Sequence, residues 1–347
     1  MEPSQPEVAV VILNWNGLSD TLACLASVQS SSYSRLRIIV ADNGSADGSV
    51  AAIGLQHPAV HVIENGENIG FAAGNNTAIS YALAAGVDFV FLLNNDTVIA
   101  SDCISAFVEA AELMPDAGIF GAKIYYFDQK DTIWYAGGYW DQHAVCFGDY
   151  GANEKDCGQY DRLVETDWVI GCAMFIRAKV FREIGLLEPK YFLNYEEIDF
   201  CFRARRAGLL CAFVPTAKLW HKVSVSFGGD DTPLKIYFNE RNRLLWAQRN
   251  STLRVQLIFH WRAVRLLFRK FTRALFGLTL PGRLTPKAWW WALLSECRDP
   301  RNYAMVRGYV DFWLRKFGDC PGSVRTLNSE WLARRAMRQS NDAHRSD

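Results

Sequence analysis

The sequence predicts an α/β fold with an open, mostly parallel central sheet, helices on both faces and a C-terminal helical appendage. The first observation is a set of four short apolar runs: VAVVIL (8–13), LRIIVA (36–41), AVHVI (59–63) and DFVFLL (88–93). Continuous rather than alternating apolar residues indicate strands covered on both faces, and the spacing fits successive βαβ units. The second is a composition that is 50% apolar and 21% charged over 347 residues, which is typical of a globular protein.

The formal net charge of zero conceals an acidic and a basic part of the chain. Residues 1–240 carry 16 Lys and Arg against 30 Asp and Glu, a net −14, whereas residues 241–347 carry 21 against 7, a net +14. We therefore place a domain boundary at residue 240. The basic part is expected to meet an anionic surface, such as nucleic acid or phospholipid headgroups, or simply to present a solvated basic face.

The cysteines and the N-terminus indicate a cytoplasmic protein. The nine cysteines are scattered, odd in number and without a C-x-x-C pair, which favours reduced thiols over a disulfide framework or a cysteine-based zinc site. The opening residues, MEPSQPEVAVVILNWNG, have neither the basic region nor the long apolar run of a signal peptide. Nothing in these residues directs secretion.

A polar, small-residue turn follows each of the four apolar runs. The four turns are NWNG (14–17), DNGSADGS (42–49), ENGENIG (64–70) and NNDT (94–97). In open α/β sheets, ligands bind beyond the carboxyl ends of the strands, so four such turns at one edge predict a binding site. Asp42 could accept a hydrogen bond from a nucleoside, or belong to an ordinary Asx turn. Asp96, with Asn94 and Asn95, gives the oxygen-rich turn that a hard divalent cation prefers.

Six motifs occur in the order seen in family 2 glycosyltransferases, and they are most similar to the bacterial rhamnosyltransferase branch. They are VVILNWNG, VADNGSADGS, NIGFAAGNN, LLNNDT, WVIGCAMFIRAKVFREIGLLEPKYFLNYEEIDFCFRARRAG and RNRLLW, within residues 8–250. The resemblance implies a GT-A fold, with a nucleotide-binding half over 1–116 and an acceptor-binding half over 117–240. It also implies metal-dependent sugar transfer from a nucleotide donor, with inversion at the sugar.

The resemblance also implies roles for individual residues. The donor would be bound by Asn14, Asp42, Gly70, Asn76, Asn94, Asn95 and Arg241. Asp96 and a later histidine, His221 in LWHKVS, would hold Mg²⁺ or Mn²⁺. Trp168, Gly171 and Glu196 would line the acceptor, although Trp168 could equally belong to the core, and Arg241 could simply face water.

The resemblance places the catalytic base at Glu197, in NYEEIDF. The family usually has Asp at this position, and one extra methylene could move the carboxylate by about 1 Å, a misplacement that can cost roughly a hundredfold in rate. The chain could therefore be an active enzyme with an adjusted pocket, which we favour, or one with a different acceptor geometry, or a weakened enzyme. Alternatively, the acidic cluster only stabilises a helix N-terminus.

The expected partners follow from the same resemblance. They are a dTDP- or UDP-sugar, with rhamnose the leading candidate, and a glycan or polyprenyl-diphosphate-linked acceptor in surface polysaccharide synthesis. No nucleic acid partner is expected, and the oligomeric state stays open. Two alternatives are a nucleotidyltransferase on the same type of sheet, and a non-catalytic sugar-nucleotide-binding assembly protein.

Residues 254–276 have the pattern of an amphipathic helix. The apolar positions are Leu257, Trp261, Val264, Phe268, Phe271 and Leu275, and the arginines on another face are Arg254, Arg262, Arg265, Arg269 and Arg273. The arginines exclude a membrane-spanning segment, but such a helix can lie in a membrane interface. Tryptophans in PKAWWWALL and YVDFWLRKF favour the same boundary. The protein is therefore expected at the inner face of the cell membrane, unless these helices dock on the catalytic body.

Overall fold

The computed structural model describes residues 5–223, 231–276 and 299–343, with the side chains of all but 267–276 and 338–343. The chain divides into two compact units, Met1–Val223 and Ser224–Asp347. The boundary that the charge pattern placed at residue 240 falls inside a helix, Pro233–Asn250, and this helix belongs wholly to the second unit. The change of charge therefore lies within the first helix of the second unit and not at the boundary between the two units.

The first unit is built on a mixed sheet, with helices between its strands. The strands are β1 (Val8–Asn14), β2 (Leu36–Asp42), β3 (His61–Glu64), β4 (Phe89–Asn94), β5 (Thr97–Ile99), β6 (Ala117–Tyr126), β7 (Ile133–Tyr135), β8 (Gly138–Asp141), β9 (Cys146–Asp149), β10 (Val164–Thr166), β11 (Ala173–Arg177) and β12 (Leu210–His221). The helices are α1 (Leu18–Gln29), α2 (Ser49–Gln56), α3 (Gly70–Ala84), α4 (Cys103–Leu113), α5 (Ala178–Ile184) and α6 (Glu196–Arg206), with a 3₁₀ turn at Pro189–Tyr191.

The sheet has the strand order β10-β12-β6-β11-β4-β1-β2-β3, with β5 paired to β12 and β7 paired to β6. The four predicted apolar runs form β1 to β4, and these four strands are mutually parallel, as predicted. Beyond β4 the pairing changes, because β11 inserts antiparallel between β4 and β6. The fold class is confirmed, and the parallel pairing is concentrated in the first half of the sheet.

The strand order also fixes where the helices lie. The chain moves outward from β1 to β2 to β3 and then returns to β4, on the other side of β1. Since such crossovers are right-handed, α1 and α2 cover one face of the sheet and α3 covers the other. The contacts agree with this, because α1 contacts α2 whereas α3 contacts β1 and β2.

An aromatic cluster joins α4 to the centre of the sheet. The ring of Phe175 in β11 stacks on that of Phe107 in α4, with centroids 4.9 Å apart. Phe175 also contacts Phe89 and Phe91 of β4 and Phe120 of β6. Burial of each such ring contributes about 1.5–3 kcal/mol. The cluster holds β4, β11 and β6 in register, and so fixes the sheet edge where β4 ends.

Strands β8 and β9 form a separate antiparallel hairpin, which we call the β8–β9 hairpin (residues 138–149). Its register places Gly138 opposite Asp149 and Trp140 opposite Phe147. Because successive side chains of a strand point to opposite faces, Trp140, Phe147 and Asp149 share one face of this hairpin.

The second unit is helical in its described part, as the sequence predicts. Its helices are α7 (Pro233–Asn250), α8 (Leu253–Phe276), α9 (Pro300–Trp313) and α10 (Gly322–Ala343). Thr232 caps the N-terminus of α7, because its hydroxyl accepts a hydrogen bond from the amide of Lys235 at 3.3 Å. Its Tyr237 hydroxyl donates to Asp311 of α9 at 2.9 Å. Together with apolar contacts, this buried hydrogen bond joins α7 to α9.

Helix α8 covers the predicted amphipathic stretch. Its described apolar positions Leu257, Trp261 and Val264 are 59%, 57% and 52% exposed, whereas Phe259 is buried and its ring contacts Trp246 of α7. The other predicted positions in this stretch have side chains outside the described residues: Phe268, Arg269, Phe271, Arg273 and Leu275. The segment PKAWWWALL also lies outside them. Within the described ranges, no helix has the length and apolar character needed to cross a membrane.

Candidate active site

The carboxyl ends of β1, β2 and β4 are joined by a buried hydrogen-bond network. Asn14 lies beside Asp42 because the parallel register pairs these two residues, and the Asn14 Nδ2 donates to Asp42 Oδ2 at 2.7 Å. The Asn14 Oδ1 accepts from Thr21 Oγ1 at 2.8 Å and from Asn95 Nδ2 at 3.3 Å. Asp42 also accepts from the amide of Ser45 at 2.8 Å. Three predicted donor residues, Asn14, Asp42 and Asn95, therefore lie together.

The sequence analysis did not predict two residues of this network, Ser45 and Thr21. Ser45 accepts from the Asn14 side chain at 3.1 Å and from the Asn16 amide at 2.8 Å, and Thr21 bonds both asparagines of the network. Ser45 lies in the DNGSADGS turn, whose density of turn-forming residues was the available signal. Thr21 is an ordinary position of α1, so no local pattern distinguishes it.

Gly70 and Asn76 fasten the start of α3 to the loop that precedes α6. Gly70 has φ +88°, and a Cβ there would lie 2.6 Å from the Phe192 ring, so the close approach requires glycine. Asn76 donates through Nδ2 to the carbonyl of Leu187 at 2.8 Å, while its Oδ1 accepts from the Leu187 amide at 3.1 Å. Both residues thus position the loop before α6, and their contact with a donor stays a prediction.

Asp96 and His221 are brought together by strand pairing. Strand β5 pairs antiparallel with β12 and places His221 opposite Thr97, the residue that follows Asp96. The Asp96 Oδ1 lies 3.1 Å from the His221 Nε2, and both residues are buried. Apart from this contact, Asp96 Oδ1 has no partner among the described residues, and neither has His221 Nδ1. A buried polar atom without a partner is costly, so this pair fits an arrangement that an additional ligand completes.

Asp96 and His221 offer ligand atoms of the kind that a divalent cation binds. A carboxylate oxygen and an imidazole nitrogen are both ligands for Mn²⁺, and Mg²⁺ prefers oxygen. Over residues 5–223, 231–276 and 299–343, no group of three or more His, Cys, Asp and Glu residues is arranged to hold a metal ion. Asp96 and His221 would therefore need further oxygen ligands from a bound substrate or water.

The turn before α6 has an unusual backbone. Phe192, Asn194 and Tyr195 all have positive φ, at +63°, +66° and +76°. A left-handed conformation at a bulky residue costs of order 1–3 kcal/mol and is concentrated at functional sites. This backbone path places Glu196 and Glu197 in the first turn of α6, where the helix dipole favours negative charge.

Both glutamates of this turn have raised pKa values. Burial, followed by the nearby negative charge of Asp149, raises the pKa of Glu197 to about 7. Burial and the adjacent charge of Glu197 raise the pKa of Glu196 well above its ordinary value. One oxygen of each carboxyl, the Oε2, is buried and has no hydrogen-bond partner in the part of the chain that the structure describes. Burial therefore favours the neutral form of Glu196, and it brings the pKa of Glu197 close to neutral pH.

Gly171 and Cys172 lie between the Asp96–His221 pair and the first turn of α6, which carries Glu196 and Glu197. The amide of Asn94, two residues before Asp96, donates to the carbonyl of Cys172 at 2.9 Å. The neighbouring Gly171 lies against α6, since a Cβ there would be 3.4 Å from the Glu197 Cβ. Burial and the negative charge of Asp96 raise the pKa of the Cys172 thiol well above its ordinary value. Asp96 and Glu197 therefore flank the same two residues at one edge of the sheet.

Two predicted site residues lie in packed interiors instead. Trp168 is 5% exposed, its Nε1 donates to the Tyr139 carbonyl at 3.4 Å, and its ring contacts Tyr135, so it offers no free ring face to an acceptor sugar. Arg241 is fully buried in the second unit, where its guanidinium donates to the Gly318 carbonyl at 2.6 Å. Its burial corrects the expectation of a diphosphate ligand or a water-facing cation.

The third carboxylate of the α6 motif, Asp199, is a structural residue. It is fully buried and accepts hydrogen bonds from the Tyr191 hydroxyl at 3.1 Å and from the Arg203 Nε at 2.8 Å. Arg203 also donates to the carbonyls of Ile184 and Leu186, at 2.5 and 2.7 Å. These bonds fix the first turn of α6 to the preceding loop, and so hold Glu196 and Glu197 in place.

Comparison with known proteins identifies the class to which this fold and site belong. Residues 9–185 match the model of the family "Glycosyl transferase family 2". The chain therefore belongs to glycosyl transferase family 2 and is a glycosyltransferase.

Two relatives show which kinds of glycosyltransferase the chain resembles. The chain is 27% identical over 248 residues, 65% of its length and 80% of the relative's, to an N-acetylglucosaminyl-diphospho-decaprenol L-rhamnosyltransferase of Mycobacterium tuberculosis. It is also 27% identical over 294 residues, 78% of its length and 89% of the relative's, to the low-salt glycan biosynthesis hexosyltransferase Agl10 of Haloferax volcanii. The chain thus resembles bacterial rhamnosyltransferases, as its motifs predict.

A solved structure supports the fold. The mannosyltransferase PcManGT from Pyrobaculum calidifontis, in complex with GDP-Man and Mn²⁺, superimposes with a TM-score of 0.52 and 15% identity. The match covers 90% of this chain and 87% of that one. The GT-A fold that the resemblance implied is therefore confirmed.

Proposed function

We propose that this protein transfers a sugar, with rhamnose the leading candidate, from a nucleoside-diphosphate donor to a glycan or lipid-linked glycan acceptor, with inversion and with a divalent cation. The observation that carries the proposal is the placement of Asp96 and Glu197 on either side of Gly171 and Cys172. One carboxylate is paired with a histidine, and the other has a pKa near neutrality. Inverting transfer needs these two groups on opposite sides of one reacting sugar.

The donor side of the site would use the network at the strand ends. Asp42, held by Asn14 and Ser45, would accept hydrogen bonds from the nucleoside, and Asn94 and Asn95 would lie near the diphosphate. Asp96 and His221 would hold Mn²⁺ or Mg²⁺, with the diphosphate oxygens as further ligands. When bound, the cation would supply charge neutralisation for the departing nucleoside diphosphate.

On the acceptor side, Glu197 would act as the general base. Its carboxylate would take the proton of an acceptor hydroxyl while that oxygen forms a bond to the anomeric carbon of the sugar. The bond from this carbon to the diphosphate oxygen breaks on the opposite face, so the configuration inverts. Glu196, neutral through burial, would donate a hydrogen bond to the acceptor.

The identity of the substrates rests on the relatives. The mycobacterial relative is named for a rhamnosyl donor and for an acceptor linked through a diphosphate to a polyprenol. A lipid-linked acceptor would require the enzyme at the inner face of the membrane. The exposed apolar residues of α8, with Arg254 and Arg265 on the same helix, support attachment to an anionic bilayer surface.

A thermal-shift screen of nucleotide sugars with and without Mn²⁺ tests the donor and the cation together. Specific binding stabilises the folded state, by about 2.7 kcal/mol at a ligand concentration a hundred times the Kd. We expect one sugar nucleotide, such as dTDP-rhamnose or a UDP-sugar, to raise the Tm, and to raise it further with Mn²⁺. The Asp96→Asn and His221→Ala variants should lose the Mn²⁺ increment, and Asp102→Asn, an exposed aspartate of the same unit, should keep it.

Product analysis separates this proposal from the alternatives. Sugar transfer releases a nucleoside diphosphate, whereas a nucleotidyltransferase releases diphosphate. No release of either product, with any donor and cation, would support a non-catalytic binding protein and contradict the proposal.

A further inference from the structure

A cleft with a volume of about 230 Å³ lies between α7, α8 and α9 of the second unit. The residues that line it include Gln248 of α7, Gln256 and His260 of α8, and Phe312, Trp313 and Arg315 at the end of α9 and just beyond it. The His260 ring packs against the rings of Trp313 and Phe312, with centroids 5.0 and 5.7 Å away. Sites for drug-sized ligands typically measure about 300–1,000 Å³, so this cleft fits a smaller chemical group.

The charges around the cleft suit an anion. The residues that line it, as far as the structure describes them, include no carboxylate. Arg315 Nη1 donates to the uncharged Gln248 Oε1 at 2.5 Å, and in the described ranges the Arg315 side chain makes no other hydrogen bond or ion pair. Burial, followed by the positive charge of nearby Arg243, lowers the pKa of His260. A guanidinium without an acidic partner favours a phosphate or carboxylate ligand.

His260 also leaves one nitrogen unsatisfied. Its Nδ1 is buried and has no hydrogen-bond partner in the part of the chain that the structure describes. An unpartnered buried polar atom is costly. Because His260 lines the cleft, a ligand with oxygen atoms bound there would relieve this cost.

The backbone at Arg315 indicates that this arginine has a role other than folding. Helix α9 ends in a Schellman motif, in which the Arg315 amide donates to the Phe312 carbonyl at 3.1 Å and the next amide donates to the Asp311 carbonyl at 2.9 Å. Arg315 has φ +56°, a left-handed conformation that glycine adopts readily. Helices α3 and α6 have Gly86 and Gly208 at the equivalent position, with φ +80° and +82°. An arginine here is strained, and such strain is concentrated at functional sites.

An exposed apolar surface adjoins the cleft. Leu257 and Trp261 of α8 each directly follow a residue that lines the cleft, and both are exposed. At the end of α9, Trp313 itself lines the cleft and is 59% exposed, and the exposed Leu314 follows it. Tryptophan is enriched where a membrane meets water. An anion site beside such a surface fits an amphiphile better than a small soluble anion.

We infer that this cleft binds the phosphate headgroup of one membrane lipid. Arg315 donates hydrogen bonds to the phosphate oxygens, and the exposed side chains of Trp261, Trp313 and Leu314 contact the acyl chains. A lipid is thereby held at a defined position, in addition to the general attraction of a basic surface for an anionic bilayer. The inference concerns a site of the second unit and does not rest on sugar transfer.

The test uses the full-length protein and isothermal titration calorimetry. The probe is dioctanoyl phosphatidic acid below its critical micelle concentration. Glycerol 3-phosphate supplies the headgroup without chains, and dioctanoyl phosphatidylcholine supplies the chains without a net charge. The variants are Arg315→Gly and Trp313→Ala, with Lys316→Gln as control, because Lys316 is exposed and does not line the cleft. The Tm of each protein is measured alongside.

We expect the unaltered protein to bind one molecule of the probe, about tenfold or more tightly than either comparison compound. Arg315→Gly should raise the Kd for the probe by about tenfold or more, the effect of losing a charge-assisted contact. Its Tm should not fall, since glycine adopts the left-handed backbone readily. Trp313→Ala should also raise the Kd, and Lys316→Gln should bind like the unaltered protein.

Four results would overturn the inference. They are no binding of the probe, an unchanged Kd in Arg315→Gly, equal weakening by Lys316→Gln, and binding of either comparison compound as tight as that of the probe. Equal weakening by Lys316→Gln would indicate general attraction to a basic surface. Tight binding of glycerol 3-phosphate would indicate a soluble phosphate ligand. Each of these results leaves the proposed sugar transfer standing.

Discussion

At the scale of single residues, the proposed mechanism depends most on Glu197. The sequence motif predicts its role as base, and the structure adds the burial and the neighbouring charge that bring its pKa near neutrality. The sequence could not reveal that Asp149 supplies this charge, because 48 positions separate the two residues and CFGDY matches no catalytic pattern. Trp168 and Arg241 were predicted to face ligands but are buried, because residue type alone does not distinguish an interior position from a position that faces a ligand.

Replacing Glu197 separates its proton-accepting role from packing. Glu197→Gln keeps the size of the side chain but not its basicity, so transfer should fall by about 10²- to 10⁴-fold while the Tm increment with donor persists. Glu197→Asp keeps the carboxylate, but the shorter side chain moves it away from the acceptor hydroxyl. We therefore expect kcat to fall by about a hundredfold. Initial rates of nucleoside diphosphate release measure both. Near-normal turnover in Glu197→Gln would remove this residue from the role of base.

The pH dependence of kcat/KM gives a second residue-scale prediction. Only the ionised form of Glu197 accepts a proton, so activity should rise with pH through about 7 and then level off. Burial favours the neutral form of Glu196 on the same helix, and it raises the pKa of Asp149 to about 6, so Asp149 carries its negative charge in the upper part of this range. Asp149→Asn removes that charge, which lowers the pKa of Glu197 and moves the rising limb to lower pH. A limb that does not move would show that Asp149 has no electrostatic influence on the base.

At the scale of secondary-structure elements, the sequence predicted well what local patterns determine. Strands β1 to β4 appear as uninterrupted apolar runs because parallel strands are buried on both faces. The insertion of β11 between β4 and β6 was not predictable, since it depends on pairing between segments about 80 residues apart. That pairing sets Cys172 against Asn94 and thereby brings Gly171 and α6 to the end of β4. The geometry of the candidate site thus depends on the pairing of β11 with β4, which local sequence patterns do not predict.

The anchoring of α6 yields an element-scale prediction. Asp199→Ala leaves Arg203, whose side chain is 14% exposed, without its carboxylate partner. Loss of one partner from a buried ion pair typically costs about 3–5 kcal/mol, so the urea midpoint should fall markedly. Activity of the folded fraction should also fall, because the first turn of α6 loses its fixed position. Glu183→Ala, an exposed acidic residue of α5, serves as control and should change stability by less than about 0.5 kcal/mol. Equal stability of the two variants would contradict the anchoring role.

At the scale of the whole molecule, the two units differ in charge and in secondary structure. The acidic first unit contains both proposed catalytic groups, and the +14 of residues 241–347 belongs to the helical second unit. This charge was readable from composition alone. The exposure of Leu257, Trp261 and Val264 was not, because an amphipathic pattern does not say which apolar positions α7 covers and which remain at the surface.

Association with membranes tests the function of the second unit. The full-length protein should sediment with vesicles that contain an anionic phospholipid, and less so as salt is raised, because screening weakens the attraction of Arg254 and Arg265 for the headgroups. Substituting glutamine at Leu257, Trp261 and Val264 together should reduce binding further, since those apolar side chains would enter the interface. The matched control is glutamine at Val306 and Val310, exposed apolar positions of α9, which should leave binding unchanged. Equal sedimentation of the triple variant and the unaltered protein would exclude this stripe as the attachment surface.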